Sequence, residues 1–283
     1  MTYQQWLQQA IALLSPGTST PRCEAEVLLS WVSGQSRTWL LAYGETPLTP
    51  SLLQQLAVLV QRRQRGEPIA YLVGQREFWS LPLQVTSATL IPRPETEHLV
   101  EETLARLPKS PCEILELGTG CGAVALALAQ ERPDCQITAI DCCPQAVAVA
   151  QCNAQRLARQ NVTFLIGEWF TPVLQRQFSA IVSNPPYLEA ADPHLQSGDL
   201  RFEPRKALVA AEGGLAALQH IIQQAGNHLL PGGWLLVEHG WQQGPAVFER
   251  LLAAGYGQVA TLDDLAQQPR LGIGQAATGL LSH

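Results

Sequence analysis

Apolar residues recur at helical spacing through roughly the first 70 positions of the chain. Between residues 6 and 14 they stand three or four apart, and a second apolar run follows Pro21. Thr49 and Pro50 mark another helix start, because threonine caps a first turn well and proline suits the first helical position. The pattern therefore predicts a small helical domain over residues 1–70.

The pattern changes between residues 71 and 91. Aromatic and β-branched residues are mixed there with Gly74 and Pro82, which predicts a β-hairpin that links two domains. The segment that follows, IPRPETE (residues 91–97), opens a helix after two prolines and carries acidic residues in its early turns.

From Cys112 onward, short apolar runs alternate with helical stretches. The strand candidates are CEILELG, QITAID, NVTFLIG, FSAIVSN and GWLLVEHG. Strands that are apolar on both faces and alternate with helices are typical of a parallel α/β sheet with right-handed crossovers. Residues 92–283 are therefore predicted to form one α/β domain after the linker.

A glycine-rich loop, Gly118 to Gly122, follows the first of these strands and opens a helix. Glycine lets a backbone approach a ligand closely, and a helix start offers unpaired N–H groups. Asp141 ends the second strand about 20 residues later, where a carboxylate can accept hydrogen bonds from ribose hydroxyls. The loop and Asp141 predict a nucleoside site, but Ala123 completes a dehydrogenase-type glycine fingerprint, so the nucleoside stays open.

The third strand ends in Glu168, Trp169 and Phe170. At this edge of a sheet Trp169 can cover one face of an adenine ring, and Glu168 can accept a hydrogen bond from its amino group. In the alternative interpretation, Trp169 or Phe170 fills an edge of the core.

The fourth strand ends in Ser183-Asn184-Pro185-Pro186-Tyr187. Ligands of open α/β sheets bind at this carboxyl edge. Asn184 offers an amide carbonyl, and proline removes backbone donors while the backbone carbonyls remain acceptors. The segment therefore suits a substrate –NH2 group on a planar system, with the Asn184 side-chain carbonyl and the backbone carbonyls of Ser183, Asn184 and Pro185 as candidate acceptors.

Together these segments resemble class I S-adenosylmethionine-dependent methyltransferases that alkylate planar amide or amino nitrogens. The resemblance is greatest to the release factor glutamine N5-methyltransferases of the PrmC/HemK family and spans nearly the whole chain. It rests on IPRPETE (91–97), ELGTGCG (116–122), GEWF (167–170), SNPPY (183–187), DPHLQSGDLRFEPRKAL (192–208) and LLVEHGWQQG (235–244). It implies a Rossmann-like domain with a mostly parallel seven-stranded sheet, preceded by a helical domain and a β-hairpin linker.

The resemblance also implies a cofactor, a substrate and the residues that hold them. S-adenosyl-L-methionine, which yields S-adenosyl-L-homocysteine, would be bound by Gly118, Thr119, Gly120, Cys121, Gly122, Asp141, Trp169 and Asn184. The substrate would be the glutamine of the Gly-Gly-Gln motif in class I peptide chain release factors, held by Asn184, Pro185, Pro186 and Tyr187. Of these, Asn184, Pro185 and Tyr187 would take part in catalysis, and the N-terminal helices would dock the body of the release factor.

Some positions have no individual role assigned by the resemblance. Arg93 and Glu97 match a segment close to the cofactor, and residues 201–204 match a loop that borders the active site. His239, which follows the fifth strand, is interpreted like the other histidines as a surface or core residue. The family usually carries an arginine after a glycine in its last strand, whereas this chain has Gly274-Gln275.

Composition and charge narrow the remaining possibilities. A net charge of −6 argues against nucleic-acid binding as the main role of the protein. The seven cysteines include no CxxC pair, which favours reduced thiols and no metal site. The start of the sequence lacks the pattern of a signal peptide, and no apolar run approaches the roughly 18 residues of a membrane span. We therefore expect a cytoplasmic monomer that does not bind nucleic acid or membranes directly.

Other functions stay open at this point. An N6-adenine methyltransferase acting on nucleic acid and a ribosomal-protein glutamine methyltransferase share the reaction type. A non-catalytic adaptor that binds a release factor is disfavoured by the intact glycine loop and Asn-Pro-Pro-Tyr segment. A dehydrogenase is disfavoured because no hydride-transfer constellation is recognisable.

Overall fold

The computed structural model describes residues 1–278, which fall into two compact units. The first comprises Met1–Gln75 together with His194–Phe202. The second comprises Arg76–Pro193 and the chain from Glu203 onward. Within residues 1–278, no helix is both long enough and apolar enough to cross a membrane.

The first unit is built from five helices. They are α1 (Tyr3–Leu14), α2 (Pro21–Ser33), α3 (Arg37–Ala42), α4 (Pro50–Gln64) and α5 (Ile69–Val73). The predicted start of α4 is confirmed, since the Thr49 side chain accepts a hydrogen bond from Leu52 N and Pro50 is the first helical residue. Trp6, Leu28 and Leu56 are among the buried residues that form the core of this unit.

The segment His194–Phe202 belongs to this helical unit through polar contacts with the end of α4. Arg63 pairs with Glu24 at 2.8 Å and lies 3.4 Å from Asp199 of the segment. Arg201 donates a hydrogen bond to the Arg65 carbonyl. Arg201 and Phe202, expected from the resemblance to border the active site, are thus grouped with the helices, whereas Glu203 and Pro204 belong to the second unit.

A β-hairpin follows the helices, as the sequence predicts. Its strands are β1 (Gln75–Phe78) and β2 (Leu81–Gln84), and Trp79 and Ser80 between them both have positive φ, at 53° and 59°. Glu97 caps the turn by accepting a hydrogen bond from Trp79 N at 2.7 Å. The fully buried Asn153 side chain bonds both the N–H and the carbonyl of Gln84.

The second unit contains one seven-stranded sheet with helices between its strands, which confirms the predicted fold class. The strands are β3 (Glu113–Leu117), β4 (Gln136–Asp141), β5 (Val162–Ile166), β6 (Phe178–Ser183), β7 (Leu229–Glu238), β8 (Gly257–Asp263) and β9 (Pro269–Gln275). The helices are α6 (Glu97–Arg106), α7 (Ala123–Glu131), α8 (Pro144–Arg156), α9 (Arg205–Leu208), α10 (Ala216–Ala225) and α11 (Gly244–Ala253).

The strand order in this sheet is β5-β4-β3-β6-β7-β9-β8. The first five strands pair in parallel, and β9 runs antiparallel to both β7 and β8. The order reverses between β3 and β6, where Leu117 pairs with Ser183. Such a switch point leaves a crevice at the carboxyl edge, so the glycine loop and Asn184 start side by side there.

The Gly274-Gln275 departure lies at the opposite end of this sheet. Gln275 pairs with Trp234, near the middle of β7, whereas Leu271 pairs with Glu238 at the carboxyl edge. A Cβ on Gly274 would lie 2.8 Å from the Tyr256 Cβ, so packing against Tyr256 requires glycine. The Gln275 side chain accepts a hydrogen bond from Gln258 Nε2 at 2.6 Å and donates one to the Gly232 carbonyl at 2.8 Å, so the departure affects contacts of the last strand rather than the crevice.

Candidate active site

A cavity of about 340 Å³ lies at the carboxyl edge of the second unit. The loop after β3 contributes Gly118 and Gly120 to its wall, and β4 contributes Asp141. The ends of β5 and β6 add four further residues, which are Glu168, Trp169, Asn184 and Pro186. Two further segments, residues 88–90 and residues 204–207, also line the cavity. The cavity thus joins all four strand ends that the sequence singles out.

The glycine loop has a shape that only glycine adopts easily. Gly118 and Gly120 have φ values of +75° and +56°. The Gly118 N–H donates to the Ile140 carbonyl at 2.8 Å, which ties the loop to the end of β4. A Cβ added to Gly120 would meet no atom within 4 Å, so the loop leaves open space on the cavity side for a ligand.

Three predicted cofactor residues of this loop do not line the cavity. Thr119 is buried and donates to Glu116 Oε2 at 2.5 Å, and Cys121 is 2% exposed. A Cβ on Gly122 would come within 3.2 Å of the Ala150 side chain. Thr119, Cys121 and Gly122 therefore shape the loop from behind.

Glu116 supports the same loop from the core. Its carboxylate accepts hydrogen bonds from the Thr119 hydroxyl and from Ala125 N, in the first turn of α7. Burial raises the pKa of Glu116 to about 7. Glu116, the acidic residue before the glycines, thus connects the loop to the first turn of α7 by hydrogen bonds.

Asp141 lines the cavity with its carboxylate held in place by backbone donors. Oδ2 accepts from Gly120 N and Oδ1 accepts from Cys143 N, both at 2.9 Å. A carboxylate oxygen can accept more than one hydrogen bond, so both oxygens retain capacity for ligand hydroxyls.

Trp169 and Phe170 take different places. Trp169 is half-buried, lines the cavity and has an unusual positive φ of 47°. Phe170 is buried in the core and stacks on His228, with ring centroids 4.7 Å apart. Positive φ in a bulky residue is strained and tends to occur at functional sites.

Asn184 lines the cavity and belongs to a chain of hydrogen bonds. Its Nδ2 donates to Thr96 Oγ1 at 3.0 Å, and the Thr96 hydroxyl donates to Glu238 Oε2 at 2.7 Å. The Tyr187 hydroxyl makes a longer contact of 3.3 Å with Glu238 Oε1. Thr96 and Glu238 are buried, and burial raises the pKa of Glu238 to about 7.

Pro185 and Tyr187 are not part of the cavity wall, although Pro186 is. Pro185 is buried, and the Tyr187 carbonyl accepts a hydrogen bond from Gln243 Nε2 at 3.0 Å. Burial raises the pKa of the Tyr187 hydroxyl, which therefore stays protonated at neutral pH.

Sequence reasoning did not single out Thr96 or Glu238. Thr96 lies inside the IPRPETE segment, in which the resemblance points to Arg93 and Glu97 instead. Glu238 is the last residue of β7, and a carboxylate at the carboxyl end of a strand is the signal that identified Asp141. The position of Glu238 at a strand end can be read from the sequence. Its hydrogen bond with Thr96 cannot, because the two residues are 142 positions apart in the chain.

Arg93 and Glu97 have different partners. Arg93 forms an ion pair with the buried Glu203, which also accepts a hydrogen bond from Ile91 N at 3.0 Å. Glu203 thereby connects the chain at residue 91 to the segment 204–207. Residues 88–90, which precede residue 91, and residues 204–207 both line the cavity. Glu97 instead binds the turn of the hairpin.

His239 lies in the core next to the end of β7. It is fully buried, and its Nδ1 lies 2.9 Å from the Gly240 carbonyl oxygen. Burial lowers its pKa, so the ring is neutral at physiological pH. Among the side chains of residues 1–278, no three of His, Cys, Asp or Glu are grouped to hold a metal ion.

Two protein-family models match segments of this chain. The PrmC N-terminal domain matches residues 5–74, and the methyltransferase small domain matches residues 96–203. The chain is 57% identical to the release factor glutamine methyltransferase of Escherichia coli (strain K12) over 275 residues, which cover 97% of this chain and 99% of that protein. The release factor glutamine methyltransferase of Vibrio cholerae is 49% identical and covers 94% of this chain and 93% of its own length.

Solved structures show the same fold at low identity. A methyltransferase from Pyrococcus furiosus has a TM-score of 0.54 and 19% identity, and the match covers 77% of this chain and 97% of that one. A 16S rRNA N2 methyltransferase of T. thermophilus in complex with AdoMet and guanosine has a TM-score of 0.51 and 19% identity, covering 71% and 49%.

Proposed function

This chain belongs to the family of release factor glutamine methyltransferases, and we propose from this that it methylates a release factor. The methyl donor is S-adenosyl-L-methionine, and the acceptor is the side-chain amide nitrogen (N5) of the glutamine in the Gly-Gly-Gln motif of class I peptide chain release factors. The observation that carries the proposal is the position of Asn184, which lines the cavity and donates from Nδ2 to Thr96, so that its Oδ1 is available to a substrate.

The cavity residues fit S-adenosyl-L-methionine. A Cβ on Gly120 would meet no atom within 4 Å, so the loop leaves open space for the methionine part, and Asp141, which lines the cavity, accepts from the ribose hydroxyls. Trp169 presents its ring to the adenine. When bound, the cofactor supplies an electrophilic methyl group on a sulfonium sulfur and leaves as S-adenosyl-L-homocysteine. No residue in this scheme requires a metal ion.

An amide nitrogen is a poor nucleophile, because its lone pair is delocalised into the carbonyl. In this proposal Asn184 Oδ1 and the Pro185 carbonyl accept the two N–H bonds of the substrate glutamine. This contact aims the nitrogen and favours its partial pyramidalisation, which localises the lone pair. Orientation of this kind can contribute roughly 7–11 kcal/mol to lowering a barrier in favourable cases.

The remaining residues of the segment assist this orientation. Pro186 and Tyr187 pack beside the substrate amide and exclude water. No strong general base is needed, since the N–H proton becomes acidic once the nitrogen is alkylated and then passes to solvent. The Tyr187 hydroxyl does not serve as that base, because it is protonated at neutral pH.

We further propose that the protein acts as a monomer in the cytoplasm, and that its helical unit contacts the body of the release factor. The match of residues 5–74 to the PrmC N-terminal domain supports the proposed role of the helical unit. The net charge of −6 supports a protein substrate over direct binding of nucleic acid.

The direct test is mass spectrometry of a class I release factor after incubation with this protein and S-adenosyl-L-methionine. One added methyl group on the Gly-Gly-Gln glutamine is expected. A release factor whose motif glutamine is replaced by alanine serves as the control and should stay unmodified. Methylation of DNA, or of ribosomal-protein glutamine with the release factor left untouched, would overturn the proposal in favour of a related reaction.

A further inference from the structure

An asparagine side chain has two ends of nearly equal shape and opposite hydrogen-bonding character. In the proposed function, on which this inference rests, the carbonyl end of Asn184 must face the substrate N–H. With the NH2 end turned to the substrate, two donors would meet and the amide would be repelled. Something in the protein must therefore select one of the two orientations.

Within residues 1–278, the only hydrogen-bond partner of the Asn184 side chain is the Thr96 hydroxyl, at 3.0 Å from Nδ2. A hydroxyl carries one hydrogen and two lone pairs, so it can satisfy either end of an amide. Thr96 alone would therefore not choose between them. Thr96 acts only as an acceptor toward Asn184 when its own hydrogen is donated to another group.

Glu238 accepts the hydrogen of the Thr96 hydroxyl. Its Oε2 lies 2.7 Å from Thr96 Oγ1, and Thr96 and Glu238 are 5% and 1% exposed, so water does not compete for the hydroxyl. An ionised carboxylate has no hydrogen to give and only accepts. The Thr96 hydrogen consequently points at Glu238, and Thr96 presents a lone pair to Asn184.

We propose that Thr96 and Glu238 are positioning residues of the methyl transfer. Through the order Glu238–Thr96–Asn184, the buried carboxylate fixes which end of the Asn184 amide faces the substrate. Its second oxygen accepts from the Tyr187 hydroxyl at 3.3 Å, so the same carboxylate contacts Tyr187 directly and Asn184 through Thr96.

The arrangement depends on the charge of Glu238. Arg270, held by Asp264 at 3.2 Å, favours the ionised form, whereas Glu95 opposes it and the neutral Tyr187 hydroxyl donates to it. With burial as the largest influence, the pKa of Glu238 is about 7. Below that pH the protonated carboxyl no longer requires the Thr96 hydrogen, and the selection of the Asn184 orientation is lost. The turnover number should therefore rise as the pH rises through about 7.

The first test replaces the hydroxyl without changing the shape of the side chain. Thr96→Val should lower kcat for release factor methylation by roughly 10- to 100-fold, the effect of disturbing one buried hydrogen-bond chain. The Kd of S-adenosyl-L-methionine should change by less than about twofold, because Thr96 does not line the cavity. Thr96→Ser, which keeps the hydroxyl, should restore most of kcat.

Thr103→Val is the matched control. Thr103 is equally buried and donates to the Leu99 carbonyl at 2.6 Å, but it lies one to two turns into α6 and has no contact with Asn184. Its replacement removes the same atoms and should leave kcat unchanged. A merely structural role for Thr96 predicts equal effects of the two valine variants, and that result would overturn the proposal.

Glu238→Gln tests the carboxylate itself. The glutamine Oε1 can still accept the Thr96 hydrogen but does not titrate, so the rise of kcat through about pH 7 should disappear. Persistence of the same rise in this variant would remove Glu238 from the proposal. If Thr96→Val does not yield folded protein by circular dichroism, the pH profiles of Thr96→Ser and Glu238→Gln decide the matter alone.

Failure of this inference is distinct from failure of the proposed function. If the wild-type protein does not methylate a release factor, the proposed function is wrong. If the wild-type protein methylates it and Thr96→Val matches Thr103→Val, only the positioning role is wrong.

Discussion

Arg93 and Glu203 form an ion pair in which the carboxylate side chain is completely buried. The same carboxylate accepts the Ile91 N–H, so one side chain holds together two segments that are 112 residues apart in the chain. Residues on either side of this junction, Leu90 and Pro204, line the cavity. The pair therefore fixes two parts of the wall against each other.

Loss of Arg93 should loosen this wall. Arg93→Ala leaves Glu203 buried with the Ile91 N–H as its remaining partner, and removing one partner of a buried carboxylate is destabilising. We expect the Kd of S-adenosyl-L-methionine to rise by roughly 10-fold in isothermal titration calorimetry, together with a lower free energy of unfolding.

Arg176→Ala is the control for the loss of an arginine ion pair. Arg176 pairs with Glu113 at 2.9 Å, but both side chains are about half exposed, and such surface pairs contribute little. Equal cofactor affinity in the Arg93 and Arg176 variants would show that the Arg93–Glu203 pair has no part in forming the site.

Gly120→Ala should abolish cofactor binding without unfolding the protein. A Cβ at this position enters the open space of the cavity, and φ of +56° adds backbone strain of about 1 kcal/mol. Gly255→Ala is a matched control, because Gly255 also has positive φ and a Cβ there also meets nothing within 4 Å. Both variants should lose similar stability, and only Gly120→Ala should lose affinity for S-adenosyl-L-methionine.

Asn184→Ala should reduce methyl transfer by about 100-fold or more, because the substrate amide loses the acceptor that aims it. The protein should stay folded and retain measurable cofactor binding, since the glycine loop, Asp141 and Trp169 are unchanged. Single-turnover methylation of a release factor, monitored by mass spectrometry, measures the loss. Turnover close to that of the wild-type protein would exclude Asn184 from the reaction.

Glu116 should make stability depend on pH. Its pKa is raised by burial from 4.5 to about 7 in the folded state, so between these values the folded protein binds more protons than the unfolded chain. The stability that Glu116 contributes is complete below about pH 4.5 and is lost as the pH rises through about 7.

The corresponding variant is Glu116→Gln, which does not titrate. The stability of this variant relative to the wild-type protein, measured as the difference in their free energies of unfolding, should be greater at pH 8 than at pH 5 by on the order of 3 kcal/mol. Urea unfolding at the two pH values gives this difference. A constant difference between variant and wild type would mean that Glu116 titrates normally in the folded protein.

Much of the fold was readable from local pattern, because strand and helix periodicities are properties of short segments. The five strand candidates and the start of α4 at Pro50 lie where the pattern predicts them. The pattern was less informative for β8 (Gly257–Asp263), which lies at an edge of the sheet and has few fully buried positions. An edge strand lacks the continuous apolar run that marks a central one.

The amino-acid sequence by itself determined which residues end the strands at the carboxyl edge: Gly118, Asp141, Trp169 and Asn184. It did so because a parallel sheet with helical crossovers places all these ends at one edge. The tertiary structure alone decided which distant side chains meet there. Thr96 and Glu238, or Arg93 and Glu203, become partners only when strand order and loop paths bring them together, and no local periodicity encodes such a pairing.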